Sequence, residues 1–357
     1  MKSILFKIVL GLCCVPLCAS AKIDPGLTGK YTKEKTIKKQ FNVDADALLK
    51  LDNSYGNLHI TSWDQNTTTI EVVIQTSSDS EKRAQQKLDQ ISIQFDASSA
   101  MVMAKTIFDN NISGWWGSNV SVKVNYTVRV PKNNRLDLSN DYGSIYLDEI
   151  NGATSIRCDY GSMQIGSLNS SHNELSFDYT TDVSIAYINK ATIDADYSDF
   201  NLEKAGDIKL EADYSNSSFH NVDRLKFSCD YGKVNVENGS TIMGEGDYLS
   251  TRIGTVSGDC NINSDYGDIK IKELMPEAGN VTIDGDYTNI VIGYNSGYHF
   301  NIIAELEYAE LRGNNDIQYQ IKREKNTESY YEGYRGSQGK NTVKLNIEYG
   351  GVKINKQ

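Results

Sequence analysis

A short phrase, Asp-Tyr followed in all but one copy by a small or polar residue, returns nine times in one stretch of this chain. The copies are Asp141-Tyr142, Asp159-Tyr160, Asp178-Tyr179, Asp196-Tyr197, Asp213-Tyr214, Asp230-Tyr231, Asp247-Tyr248, Asp265-Tyr266 and Asp286-Tyr287. Successive tyrosines lie 18, 19, 18, 17, 17, 17, 18 and 21 residues apart. Self-similarity at a nearly constant period of this size marks units that stack on one another. Within a unit the hydrophobic pattern is that of a strand. In Ile208-Lys209-Leu210-Glu211-Ala212-Asp213-Tyr214 apolar and charged residues alternate, so one face is buried and the other is wet. The expected fold is all-β, a β-helix or β-solenoid with about 17–21 residues per turn.

The same alternation, carried through the tyrosine, predicts a ring that turns inward at a corner. The residue two before it is usually small, as in Cys158, Ala195, Ala212, Cys229, Gly246, Ser264 and Gly285, and Phe177 is an exception. The tyrosines then form a structural ladder, stacked aromatics being worth about 0.5–1.5 kcal/mol per pair. A sugar-binding row is the alternative. The aspartates form a parallel column in which neighbours repel by about 0.9 kcal/mol in water. An Asx turn, with the carboxylate accepting the N–H two residues on, is the expected compensation. A calcium column is the alternative, although the glycine-rich nonapeptide repeat that binds calcium is absent.

Around this stretch the chain divides as follows. Residues 1–21 read as a secretory signal peptide, with Lys2, an apolar run from Ile4 to Leu17, and cleavage after Ala21. Residues 22–40, rich in lysine, read as a loose N-terminal arm. Residues 41–357 read as a single domain that begins at Tyr55, where Asn53-Ser54-Tyr55-Gly56 matches the repeat. A strand-helix-strand insertion fills 61–135, with a capping-box start at Ser78-Asp79-Ser80-Glu81. After Tyr287 the rhythm loosens to Tyr308 and then Tyr349, 41 residues later, so a late loop insertion is placed at 322–340. No later stretch is long and apolar enough for a membrane span.

Removing Lys2 and Lys7 with the signal takes the formal charge from -11 to -13. So acidic a surface argues against nucleic acid as a partner. Of six cysteines, three lie within residues 1–21. Cys158 and Cys229 sit four turns apart, about 19 Å at roughly 4.8 Å per strand, too far for a disulfide. Buried free thiols are expected.

Enzyme signatures are lacking. His59, His172, His220 and His299 follow no metal-ligand spacing, and there is no nucleophile elbow, zinc-protease motif or P-loop. No catalytic or metal residues are assigned and no cofactor is expected. The candidates for recognition stand where the rhythm breaks: Trp115 and Trp116 in a glycine-flanked loop, then Tyr330, Tyr331 and Tyr334 in the late insertion.

The entry Asn53-Ser54-Tyr55-Gly56-Asn57-Leu58-His59-Ile60-Thr61-Ser62-Trp63-Asp64 leads into a helix-containing excursion that ends at Val130-Pro131. Leu136-Asp137-Leu138-Ser139-Asn140-Asp141-Tyr142-Gly143-Ser144-Ile145 follows. This arrangement resembles the bacterial putative-adhesin β-solenoid family, a domain of unknown function in exported envelope proteins and similar to auto-transporter adhesin heads. The resemblance implies a fold and an adhesive role, and supplies no catalytic residues. The expected function is a non-enzymatic, adhesin-like envelope protein that binds a protein or glycan in the periplasm or at the surface. A polysaccharide-active enzyme on a β-helix and an envelope scaffold or stress-sensing partner are the alternatives.

Overall fold

The computed structural model describes residues 27–109, 119–313 and 315–357. The expected signal peptide and the pair Trp115 and Trp116 lie outside them. The described residues are almost wholly β, with twenty-five strands and one short helix, Glu81–Asp89.

Through the middle of the chain each turn supplies two strand segments, and each pairs in parallel with the same segment of the neighbouring turn. Strand Asp199–Glu211 shows the arrangement, with Leu202 opposite Phe219 and Leu210 opposite Phe227 across a 17-residue offset. The repeat period is thus the pairing offset. Inward side chains consequently stack in rows. Ile185, Leu202, Phe219, Val236 and Ile253 make one buried row, and Ile193, Leu210 and Phe227 begin another. Each such side chain contributes about 1.5–3 kcal/mol by leaving water. Phe177, the exception to the small-residue rule, is fully buried with its ring edge-on to Phe200. It has space because small residues flank it: Ala195 opposite, and Cys158 at the matching place in the turn before.

The ends of the stack depart from chain order. Strand Leu48–Ser54 lies between Arg135–Asp141 and Met101–Phe108, and strand Leu58–Trp63 lies between Ser144–Ile150 and Val120–Pro131. The insertion at 61–135 therefore closes an outermost turn over the first one. Antiparallel strands then cover it: Ile91–Ala97 on one segment and Thr67–Ser78 on the other. The helix forms where expected, but Ser80 makes no side-chain cap and the capping box is not closed.

The region expected as a loose arm is for the most part strand. Tyr31–Asn42 pairs along its whole length with Thr67–Ser78. Its lysines belong to an edge strand, where charge blocks further pairing, and Lys33 and Lys38 meet Glu81 and Glu71 at 2.6 and 3.1 Å.

The late insertion is not a loop either. Gln318–Glu324 and Glu328–Arg335 form a hairpin that lies antiparallel on strand Phe300–Arg312. That strand is the outermost turn. The later strand Asn341–Lys356 inserts between it and the turn Val281–Tyr294, with Val343 opposite both Val281 and Ile302. The spacing of 41 residues thus reflects a reversal of spatial order, with Tyr349 lying inside Tyr308.

Cys158, Cys229 and Cys260 are buried free thiols. Burial pushes each up to about 12, so none is a thiolate at neutral pH.

Candidate functional site

The tyrosines do not face the interior. Each of the twelve repeat tyrosines has a positive φ, between +48° and +62°. This left-handed residue reverses the alternation, so the side chain that counting places inside points out. Their exposure runs from 37–38% at Tyr55 and Tyr349 to about 50% along the rest of the row. The ladder itself is present. Tyr55, Tyr142, Tyr160, Tyr179, Tyr197, Tyr214, Tyr231, Tyr248, Tyr266, Tyr287, Tyr349 and Tyr308 stack in that order. Ring centroids are 4.7–5.3 Å apart and planes within 9° of parallel. Eleven steps of about 4.8 Å make a strip roughly 53 Å long. The Phe108 ring meets Tyr55 edge-on at 5.8 Å at one end.

What the corner interior holds instead is a second ladder, of hydroxyls. The residue after each tyrosine is buried where it is Thr180, Ser198, Ser215 or Thr288. Ser198 Oγ donates to the carbonyls of Asp196 and Phe177, and Ser215 Oγ to those of Asp213 and Ala195. Ser198 N–H in turn donates to Ser215 Oγ. Where this residue is Gly161, an added Cβ would stand 2.1 Å from the Gly143 carbonyl oxygen, and the side chain is absent.

The aspartates are not Asx turns. The N–H two residues on donates to the neighbouring hydroxyl where one is present, and Asp Oδ1 accepts from the next aspartate instead. Asp213 N–H donates to Asp196, Asp230 N–H to Asp213 and Asp247 N–H to Asp230, at 2.8–3.0 Å. Asp178, Asp196 and Asp286 repeat the contact at 3.1–3.4 Å. The like-charge cost of the column is met rung to rung by charge-assisted hydrogen bonds. Among the described residues no group of three or more His, Cys, Asp or Glu is placed to hold a metal ion.

Carboxylates nonetheless line one flank of the strip. Burial first, then Asp159, raises Asp141, and burial first, then Asp196 and Asp178, raises Asp194. The tyrosine hydroxyls at Tyr160, Tyr197, Tyr231, Tyr266 and Tyr349 are also raised, by desolvation and then by adjacent phenols. They stay protonated and can donate. Because the folded Asp194 holds its proton more tightly than the unfolded one, its favourable contribution is complete below about pH 3.8 and is lost as pH rises through the folded value. Asp194→Asn should therefore raise the melting temperature at pH 7, by about 1–2 °C for an exposed charge effect of under 1 kcal/mol. The gain should vanish near pH 3 in paired thermal scans.

Of the other sequence candidates within the described residues, only Tyr330 lies beside the acidic flank of the strip. Half-buried, it lines a cavity of about 570 Å³ beside Asp265, Asp286, Glu305, Arg323 and Glu348. Tyr331 is buried, its hydroxyl donating to Glu324 at 2.7 Å, and Tyr334 is half-buried. A second, open groove of about 610 Å³ crosses Ser218, Asn235 and Arg252, with the pair His220 and Glu237 on its wall.

Sequence reasoning counted the tyrosines and mistook their side. The signal that could have placed them was the pairing of a small or hydroxyl residue just after the ring with a small apolar one two before it.

No family model and no curated protein matches the sequence. Solved structures to which it is similar include a putative adhesin from Parabacteroides distasonis, at 9% identity, covering 90% of this chain and 97% of that one, with a TM-score of 0.33. A putative adhesin from Parabacteroides merdae is 12% identical, covers 90% and 96%, and has a TM-score of 0.30. A putative lipid binding protein from Parabacteroides distasonis is 8% identical, covers 89% and 96%, and has a TM-score of 0.29. Two of the three carry the adhesin name of the family that the sequence resembles. Likeness of this order assigns no function to the chain.

Proposed function

We propose that this chain is an exported, non-enzymatic β-solenoid of the cell envelope, adhesin-like in action, whose tyrosine strip is its binding face. The observation that carries the reading is the strip itself. A bulky residue in the left-handed region costs about 1–2 kcal/mol, and a stacked pair returns about 0.5–1.5 kcal/mol. Stacking at best offsets the backbone, and glycine or asparagine would fill each corner without that strain. Strain that stability does not require is a pointer to function. Twelve aromatic side chains, each more than a third and mostly about half exposed, present on the order of 1,000 Å². Soluble monomers rarely leave more than a few hundred Å² of contiguous apolar surface exposed, and tyrosine is enriched at interfaces.

The test replaces Tyr197, Tyr214, Tyr231 and Tyr248 together with Asn, which tolerates a positive φ. Wild type and variant are applied to arrays of envelope and host glycans and of extracellular proteins. The expected result is at least a tenfold loss of binding in the variant, with an unchanged β-sheet circular dichroism spectrum. Equal binding by both would sink the reading, and so would depolymerised glycan in the wells.

A further inference from the structure

The two flanks of the tyrosine strip differ in charge. On one side stand Asp178, Asp196, Asp213, Asp230, Asp247, Asp265, Asp286, Glu348 and Glu307, immediately before their tyrosines. Two residues further back on the same strands come Asp194, Glu211, Glu245, Asp284 and Glu305. Among the described residues only Glu211 of these fourteen is in an ion pair, with Lys209. The run is partly to well exposed, and it follows the strip through nine rungs without a basic residue in either column. Carboxylate oxygens in the first column already accept a backbone N–H, which holds them in place along the row.

The rings are offered edge-on. Each face is covered by the next tyrosine, so a sugar or a base cannot stack on them, and what remains is apolar ring edge topped by a hydroxyl. A long apolar strip with donors on one side and fixed negative charge beside it suits an extended peptide with cationic side chains. Its pitch narrows the conformation. Two rungs span about 9.6 Å. One turn of a polyproline II helix, three residues at about 3.1 Å, spans about 9.3 Å. Every third residue of such a segment falls in register with every second carboxylate. Polyproline II segments leave their carbonyls free for tyrosine hydroxyls, and their preformed helix docks on aromatic-lined grooves elsewhere at low entropic cost.

Resting on the reading of the strip as a binding face, we propose that its occupant is an extended, basic, polyproline II-type segment of a protein partner, with Lys or Arg at every third position facing the aspartate column.

The full chain is titrated by fluorescence anisotropy against labelled 18-residue peptides of repeated Pro-Pro-Lys, Pro-Pro-Gln, Pro-Pro-Glu and Gly-Ser-Lys. Pro-Pro-Lys should bind at least tenfold more tightly than Pro-Pro-Gln, and Pro-Pro-Glu should not bind. Raising salt from 50 to 500 mM should weaken Pro-Pro-Lys at least tenfold. The four-tyrosine Asn variant and Asp196→Asn/Asp213→Asn/Asp230→Asn/Asp247→Asn should each lose that binding. If Pro-Pro-Gln binds as well as Pro-Pro-Lys and still needs the tyrosines, the binding face stands and the basic partner is overturned. If Gly-Ser-Lys binds as tightly, the conformational match is overturned. Binding of Pro-Pro-Lys that ignores the tyrosine substitutions overturns the proposal as unspecific charge attraction. Absence of tyrosine-dependent binding to any of these peptides overturns the proposal, while the reading of the strip as a binding face stands or falls on the arrays.

Discussion

Deleting Asn341–Gln357 is expected to unseat the whole distal end of the molecule rather than trim it. In a stack built in chain order, the last turn is a cap, and its loss exposes one surface. Here that segment lies between two others, paired on one side with Val281–Asp286 and Asn289–Tyr294 and on the other with Phe300–Arg312. The deletion removes five buried aliphatic side chains, Val343, Leu345, Ile347, Val352 and Ile354. At about 1.5–3 kcal/mol each the loss is on the order of 10 kcal/mol, comparable to the stability of a typical domain. Because neighbouring turns interact only with each other, the damage stays local. Phe300–Arg335 should become the first site of limited proteolysis, while the turns up to Tyr266 keep their circular dichroism. The newly bared strand edges should make the protein self-associate in light scattering. A truncated chain that resists protease at Phe300–Arg335 would contradict the pairing order.

The second large effect concerns one ring. Phe227 lies opposite Leu210 on one side and Gly244 on the other. A Cβ at Gly244 would sit 1.9 Å from Phe227 Cζ, so the glycine is present to admit the ring. Phe227→Ala should cost about 3–5 kcal/mol, which is about 5–8 °C in a domain of this size. Gly244→Val alone should also destabilise, by about 1–3 kcal/mol of overpacking. Together they should be milder than their sum by at least 1 kcal/mol, since each relieves the other's fault. Additive losses in a urea-melt double-mutant cycle would mean that the two positions do not share one space.

Much of this architecture was legible from the tyrosine period and from strand alternation. The 17-residue spacing of Tyr197, Tyr214 and Tyr231 is the pairing offset itself. The side of the strip was not legible, because alternation holds only while every residue stays extended. A positive φ on a bulky residue is what residue type argues against. The late strand's position escaped for another reason: the interval from Tyr308 to Tyr349 counts turns and says nothing about their order. The lysines of Tyr31–Asn42 misled because an edge strand and a solvated arm share a composition. Of the candidate site residues, Tyr330 lies near the strip, whereas the most informative ones, the tyrosines, had been assigned to the core.

The nested last turn also bears on how the molecule comes into being and how it is lost. From Arg135 onward, a chain that emerges in order can lay each turn on one already formed as far as Tyr287. The segment Phe300–Arg312 then gains its parallel neighbour only when Asn341–Lys356 takes its place between it and Val281–Tyr294. Assembly of that end is thus a closing step, completed in one event, and not a continuation of growth. Once closed, the end resists peeling, since the segment nearest the terminus is held between two others and cannot leave alone. The longevity of many folds rests on a slow unfolding rate, and a segment held between two others opposes unfolding from this end.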